Sequence, residues 1–249
     1  MNGMTTDPTP LAAVILAAGR GERLQGVMGD GSKPLTPLLG ITLLERALLV
    51  CQAAGVKDCY IVVGYQRERL ASYITSRSRR YRMRLHIVQN PHWELGNGTS
   101  AASMAPYLQG PFLLLMCDHV FDTTILTSLI AAGQQTEASL LAVDLRLDHI
   151  FDLDDATKVQ IDNCHITAIG KELQHYNAID TGLFFCRPSL FQALEHANAS
   201  GDASLSGGIR QLITAKTMRG MSIGDRFWMD IDTAACLVEA EHELLKQVS

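Results

Sequence analysis

Hydrophobic and polar positions along the chain fall into two rhythms. Apolar, strand-length segments occur at Ala12–Leu16, Cys59–Val63, Leu85–Gln89 and Phe112–Cys117. Runs of this kind suit strands buried on both faces. Between them the spacing is helical. Leu43–Ala54 places Leu44, Leu48 and Ala54 on one face with Gly55 as a stop, Glu68–Thr75 makes a second helix, and the residues around Ser103 a third. Residues 90–100 read as a loop. Strands alternating with helices predict an α/β, Rossmann-like, doubly wound sheet. After about residue 135 the strands shorten (Ser139–Asp144, Lys158–Asp162, Gly182–Cys186) and a helix over Thr233–Lys246 closes the chain. The sheet is therefore expected to be mixed, with a smaller β-rich lobe. The expected organisation is a flexible polar tail over residues 1–10 and a single domain over 11–249, divided into halves at 11–135 and 136–249.

Composition narrows the class. Apolar residues make up 47% and charged residues 19% of the 249, which excludes a disordered chain. A net charge of −5 argues against nucleic acid as a partner. No apolar stretch approaches the ~18–20 residues of a membrane span, and the opening MNGMTTDPTP lacks a signal pattern, so a cytoplasmic protein is expected. The six cysteines form no C-x-x-C pair and read as small core residues in a reducing compartment.

Ligands of open α/β sheets bind beyond the carboxyl ends of the strands. Four features fall there: Ala17–Leu24, Gln89–Ser100, Asp118–His119, and the pair Asp230/Asp232. Residues 16–24 read LAAGRGERL, with SKPL at 32–35. Gly19 and Gly21 permit a turn whose backbone N–H groups face an anion. The dinucleotide fingerprint fails because Leu24 stands where glycine is needed. Gly26–Gly31 fails as a Walker motif because Ser32 precedes Lys33. Arg20, Arg23 and Lys33 beside the glycines suit a triphosphate, and suit a solvated surface turn as well. Asp118 ends the run FLLLMC, and Asp230 and Asp232 share one side of an extended FWMDIDT. Converging carboxylates tolerate one another around a hard dication. Alternatively, Asp118 caps the helix starting near Thr123, a task for which Asp122 is better placed, and Asp232 caps Thr233–Lys246. In QNPHWELGNGTSAAS (89–103), Gly96 and Gly98 would let backbone approach a ligand and Asn97, Thr99 and Ser100 offer polar groups, or the segment simply leads into a helix cap.

The pairing of L-A-A-G-x-G-x-R-L with K-P-L, carried by Leu16, Ala17, Ala18, Gly19, Gly21, Arg23, Leu24, Lys33, Pro34 and Leu35, resembles the nucleotidyltransferases that join a nucleoside triphosphate to a phosphorylated sugar or alcohol. The likeness runs at lower density from Leu11 to Leu245. It implies that Leu16, Ala17, Ala18, Gly19 and Gly21 bind nucleotide, with the Ala17–Gly19 backbone on the base. It places Arg23 and Lys33 on the phosphates, and Mg²⁺ on Asp118 and on Asp230 or Asp232. N-P-x-x-E-x-G-N-G-x-S, followed by Asp118-His119, resembles the CTP-using inositol-1-phosphate cytidylyltransferases, which adds Asn90, Gly96, Asn97 and Ser100 to the nucleotide side. Cys117 departs from the family's glycine or serine. The segment IGKELQHYNAIDTGLFFC resembles the family's acceptor-pocket lining, implying acceptor roles for Lys171, Asp180 and Thr181, with His119 positioning. The implied catalytic set is Arg23, Lys33 and Asp118.

The expected activity is Mg²⁺-dependent cytidylyl transfer from CTP to a small phosphorylated alcohol, inositol 1-phosphate foremost. The alternatives are a sugar-1-phosphate or choline-phosphate nucleotidylyltransferase, then a glycosyltransferase or a non-catalytic relative. No nucleic-acid partner and no membrane span are expected, and a homodimer is one expected assembly. Family members are often fused to a membrane-embedded lipid synthase; with none before Ser249, use of the product is expected to fall to a separate protein. The basic run RSRRYRMR (77–84) reads as a solvated helix end, and Trp93 and Trp228 as packing aromatics beside the two loops.

Overall fold

Strand β1 (Ala12–Ala17) is buried along its whole length because both of its faces meet a core. Ala12, Val14 and Leu16 enter one hydrophobic cluster and Ala13, Ile15 and Ala17 the other, the two-residue period of a strand between two layers. This computed structural model describes residues 11–24 and 31–246. The tail expected over 1–10, and residues 25–30 of the glycine-rich stretch, lie outside the described residues.

Nine strands form the main sheet: β1, β4 (Asp58–Val63), β5 (Arg84–Gln89), β6 (Phe112–Met116), β8 (Ser139–Asp144), β9 (Lys158–Asp162), β10 (His165–Gly170), β11 (Ala178–Cys186) and β12 (Met218–Ser222). Their order is β5-β4-β1-β6-β11-β8-β12-β10-β9. The first four are parallel; β11 runs antiparallel between β6 and β8, which makes the sheet mixed. The strands after residue 135 thus extend the same sheet. On one face lie α1 (Leu43–Ala53), α2 (Arg67–Arg77) and α4 (Thr123–Gly133). The other face carries α3 (Asn97–Ala102), α5 (Ser189–Ala199) and α6 (Leu205–Thr214). Each fully buried Leu or Ile in these layers contributes about 1.5–3 kcal/mol. Thr42 caps α1 through Glu45 N, and Asp122 caps α4 through Thr124 N.

Among the described residues, two small sheets accompany the main one. A hairpin pairs β2 (Pro37–Leu38) with β3 (Ile41–Thr42), and β7 (His119–Phe121) pairs antiparallel with β13 (Trp228–Asp230). A third cluster, containing Leu24, Leu38, Leu43, Val120 and Ile231, seats both against α7 (Ala234–Lys246) through Cys236 and Ala240. Among the described residues no helix is long and apolar enough to cross a membrane. All six cysteines are free, and five are buried.

Two local expectations shift. The helix expected around Ser103 starts at Asn97, and Ser103 is its C-cap. Short residues serve in its first turn because that turn packs hard against Ala203 and Ser204, where larger ones would not fit. Strand β11 begins at Ala178, so Asp180-Thr181-Gly182 lies inside a strand. Its register against β8 slips between Asp180 and Phe184, where Gly182 adopts φ 72°, which makes the segment a bulge.

Candidate active site

The chain leaves β1 for β4 and β5 on one side and returns to β6 on the other, so the crevice at the carboxyl ends of β1 and β6 is the switch point of the sheet. Lys33 and Asp118 meet there. A short 3₁₀ turn, Lys33–Leu35, starts with Lys33 followed by Pro34, and it buries the lysine stem. Gly21 makes that burial possible. It sits at φ 65°, and a Cβ there would lie 2.5 Å from Lys33 Cβ. Asp118 occupies the turn between β6 and β7. The Lys33 ammonium donates to Asp118 Oδ2 and to Asp232 Oδ1, while Arg23 donates to Asp232 Oδ2 and, at 2.7 Å, to Asp155 Oδ2. Asp155 Oδ1 accepts from Lys171 at 2.8 Å. The six groups form one chain of alternating charge running from Lys171 to Asp118.

Electrostatics follow from burial and this arrangement. Burial alone would lower the pKa of Lys33, whose side chain is 8% exposed, but Asp118, Asp230 and Asp232 together hold it above its ordinary value. Burial and the neighbouring Asp230 raise Asp232, against the pull of Lys33. His119 donates from Nδ1 to the Thr181 carbonyl at 2.7 Å, and its Nε2 lies 3.6 Å from Asp230 and 3.8 Å from Asp118. Burial opposes its charge, but Asp230 and then Asp118 overcome that and push it up to about 10. The same imidazole holds Asp230 well below the carboxylate range, even though burial works in the other direction. Asp180 is pushed up to about 6 by burial, against the hydrogen bond from Gly182 N at 2.7 Å.

Asp118 Oδ1 and Asp230 Oδ1 are buried oxygens without a hydrogen-bond partner among the described residues. Ligand atoms of Asp118, His119 and Asp230 lie within 4.8 Å of one another, so this group could hold a metal ion. Orphaned carboxylate oxygens that repel each other are the donor set a hard dication satisfies. Asp232, expected in that set, spends both oxygens on Lys33 and Arg23. It does not cap α7 either: Thr233 takes that task by accepting from Cys236 N at 3.2 Å.

A cavity of about 1260 Å³ opens beside these groups. Asp118, His119, Asp230, Asp232, Lys171 and Asp180 are among its lining residues, as is Asn97. Leu16–Gly21, Arg23, Lys33, Asn90, Gly96, Ser100 and Thr181 are not among them, the two cations reaching the cavity's edge only through Asp118, Asp155 and Asp232. Leu16, Ala17 and Ala18 are buried, and the Ala18 carbonyl accepts from Tyr65 N; Gly19 is open, with nothing within 4 Å of a Cβ. Asn90 is 3% exposed and spent internally, donating to Thr99 and Ser100 and accepting from His92 N. Gly96 and Gly98 do admit a close backbone approach, but the approaching backbone is Ala203–Ser204: a Cβ at either would lie 2.5–2.6 Å from the Ala203 carbonyl oxygen. Asn97 Oδ1 accepts from Leu205 N at 2.8 Å, at the start of α6. Thr181 is fully buried and its hydroxyl donates to the Ala142 carbonyl, turned away from the expected acceptor contact.

Sequence reasoning missed Asp155, Asp144 and Arg146. Asp144 ends the apolar strand SLLAVD as Asp118 ends FLLLMC, so the same signal was present. Asp155 stands in the acidic run FDLDDAT, where nothing marks one carboxylate over another.

Comparison with known proteins shows the family and the fold. Residues 13–217 match the model of the MobA-like NTP transferase domain. A protein of Rubrobacter xylanophilus named bifunctional IPC transferase and DIPP synthase is 31% identical over 97% of this chain and 53% of its own length. A protein of the same name from Aquifex aeolicus is 30% identical over 94% and 52%. The chain thus spans about half the length of these curated relatives. The solved structure of the inositol-1-phosphate CTP transferase from T. maritima superposes with a TM-score of 0.84 at 28% identity, covering 96% of both chains. A UDP-glucose pyrophosphorylase complexed with UDP-glucose shares the fold at TM-score 0.81 and 15% identity. By sequence and by fold, the chain belongs to the MobA-like NTP transferase domain family.

Proposed function

We propose that this protein transfers a cytidylyl group from CTP to a phosphorylated alcohol, inositol 1-phosphate, and releases pyrophosphate. The reading rests on one observation above the others: Asp232 draws Lys33 and Arg23 together at the sheet's switch point, where Lys33 also meets Asp118, beside a cavity of about 1260 Å³ that both carboxylates line. The T. maritima enzyme, similar along nearly the whole chain, supports CTP and inositol 1-phosphate as the pair. Nucleotide is placed on the 11–135 side and acceptor on the 136–249 side of one domain.

A phosphate monoester with a second pKa near 6 is largely dianionic at pH 7 and attacks without a base. One of its oxygens bonds to the α-phosphorus of CTP as the bond from that phosphorus to the pyrophosphate oxygen breaks. Alignment and charge neutralisation are then the protein's tasks. Lys33 and Arg23 exchange their carboxylate partners for phosphate oxygens and stabilise the departing pyrophosphate. Lys171 and Asp180 face the acceptor, the first towards its phosphate and the second towards its hydroxyls. Asp118 and Asp230, beside Asp232, would hold Mg²⁺, which when bound supplies neutralisation at phosphate oxygens. His119 orients Asp230 from its anchor on the Thr181 carbonyl.

The test is pyrophosphate release from each of the four nucleoside triphosphates with inositol 1-phosphate, choline phosphate and glucose 1-phosphate. CTP with inositol 1-phosphate is expected to give the highest kcat/KM. A preference for another pair replaces the substrate assignment, and no release from any pair overturns the transferase reading.

A further inference from the structure

The small sheet β7/β13 carries His119 and Asp230 and is separate from the nine-stranded sheet; apolar packing seats it against α7 and the Thr181 carbonyl anchors His119, and a further polar link ties β13 to β8. Asp144, at the carboxyl end of β8, is 1% exposed and is the acceptor at the centre of that link. Its Oδ1 accepts from Arg146 N at 2.9 Å and Arg146 Nε at 3.0 Å. Its Oδ2 accepts from Arg146 Nη2 at 2.8 Å and from Trp228 Nε1 at 2.9 Å. The same Arg146 Nη2 donates onward to the Arg226 carbonyl at 2.8 Å, two residues before Trp228. One buried carboxylate thus holds β13 directly through the indole, and the segment leading into it, at Arg226, through the guanidinium. The Trp228 ring in turn lies 5.9 Å from the His119 ring, inclined to it by 29°, and Asp230 pairs with His119 across β7 and β13.

We propose that Asp144 is a positioning residue for the transfer site: through Trp228 and Arg146 it sets β13, and with it Asp230, against His119. A buried carboxylate taking four hydrogen bonds in a fixed fork admits one geometry, whereas apolar packing alone would let a two-strand ribbon shift. Groups hydrogen-bonded directly to a metal ligand cost ~10–100-fold when lost, and Asp144, one contact further out, is expected at the lower end of that range. The functional part of the inference rests on the transferase reading; the structural part does not.

Two conservative changes separate the roles. Asp144→Asn keeps the shape but sets an amide against the indole N–H or the guanidinium, and Trp228→Phe keeps an aromatic ring but removes the donor. Each is expected to lower kcat about 10-fold or more, with KM for CTP changed less than threefold. The double variant should be little worse than Asp144→Asn alone, because the one hydrogen bond that Trp228→Phe removes is already disturbed by Asp144→Asn. In a Trp93→Phe background Trp228 is the sole tryptophan, and Asp144→Asn should shift its emission to longer wavelength and raise its quenching by acrylamide. Losses that multiply in the double variant, or an unchanged Trp228 emission, would overturn the proposal. If the unmodified protein proves inactive the transferase reading fails, and the emission measurement still decides whether Asp144 holds Trp228.

Discussion

Truncating Lys33 to alanine removes an ammonium that touches both Asp118 and Asp232 and that Asp230 also stabilises. Two consequences can be sized from the structure. Losing one preorganised electrostatic donor costs ~2–4 kcal/mol in the transition state, which is roughly a 30- to 1,000-fold fall in kcat/KM. The folded state also suffers, since three carboxylates are left facing one another. Removing one partner of a fully buried pair costs ~3–5 kcal/mol, but these carboxylates are 18–36% exposed and reach water, so ~1–2 kcal/mol is the better figure. Because the pKa of Lys33 is raised on folding, its contribution is complete below the unfolded value of ~10.4 and is lost only above it. The stability gap between variant and wild type should therefore be flat from pH 6 to 9. Mn²⁺ or Mg²⁺ should raise the Tm of the variant more than that of the wild type, since the dication replaces the missing positive charge. Pyrophosphate release and thermal unfolding with and without the ion measure all of this. A kcat/KM within threefold of wild type, together with an unchanged Tm, would refute the assigned role of Lys33.

Asp118→Asn should abolish nearly all turnover while the melting temperature stays within a few degrees; near-normal pyrophosphate release would remove Asp118 from the site. Gly21→Ala forces a left-handed backbone onto alanine and drives a Cβ into the Lys33 stem, so a loss of ~1–3 kcal/mol in urea unfolding is expected. Gly19→Ala, in open space, should cost far less, and equal losses would contradict the packing argument. Far from the site, the Arg84 fork (2.6 and 2.5 Å) and, after an opposing contribution from burial, His86 hold Asp58 at about 2, below its unfolded value. Stability from that pair is present above pH ~4 and drains away as the pH falls towards 2. Asp58→Asn should flatten the acid slope by ~1 kcal/mol, a modest figure because Arg84 is exposed; an unchanged slope between pH 6 and 2.5 would count against it.

Strands β1, β4 and β6 and helices α1, α2 and α4 were readable from the sequence because each obeys a local rule. Continuous apolar runs mark strands covered on both faces, and Gly55 and Asp122 mark helix ends. The convergence of Lys33 with Asp118 was readable too, since both flank strands whose carboxyl ends share a crevice. What the sequence hid depends on distant partners. Asn90, Gly96 and Ser100 suggest ligand contact by their type, but whether a small polar residue meets a ligand or its own chain is decided by what packs opposite: here Gly96 meets Ala203–Ser204, and Asn90 and Ser100 bond to each other. Thr181 sits within a bulge whose register only β8 sets. Asp232 was ambiguous between cap and site, and the neighbouring Thr233 resolved it by taking the cap.

The interlock between α3 and the start of α6 constrains how this scaffold can change. With Gly96 and Gly98 pressed onto the Ala203 carbonyl and Asn97 hooked to Leu205 N, the two helices are keyed together like teeth of one gear. A side chain added at either glycine would displace α6, and α6 leans on β10, which shapes the far half of the sheet. Retuning the segment around residue 97 would therefore disturb distant structure unless compensating changes arose near residue 203, and variation at these two places should be inherited together.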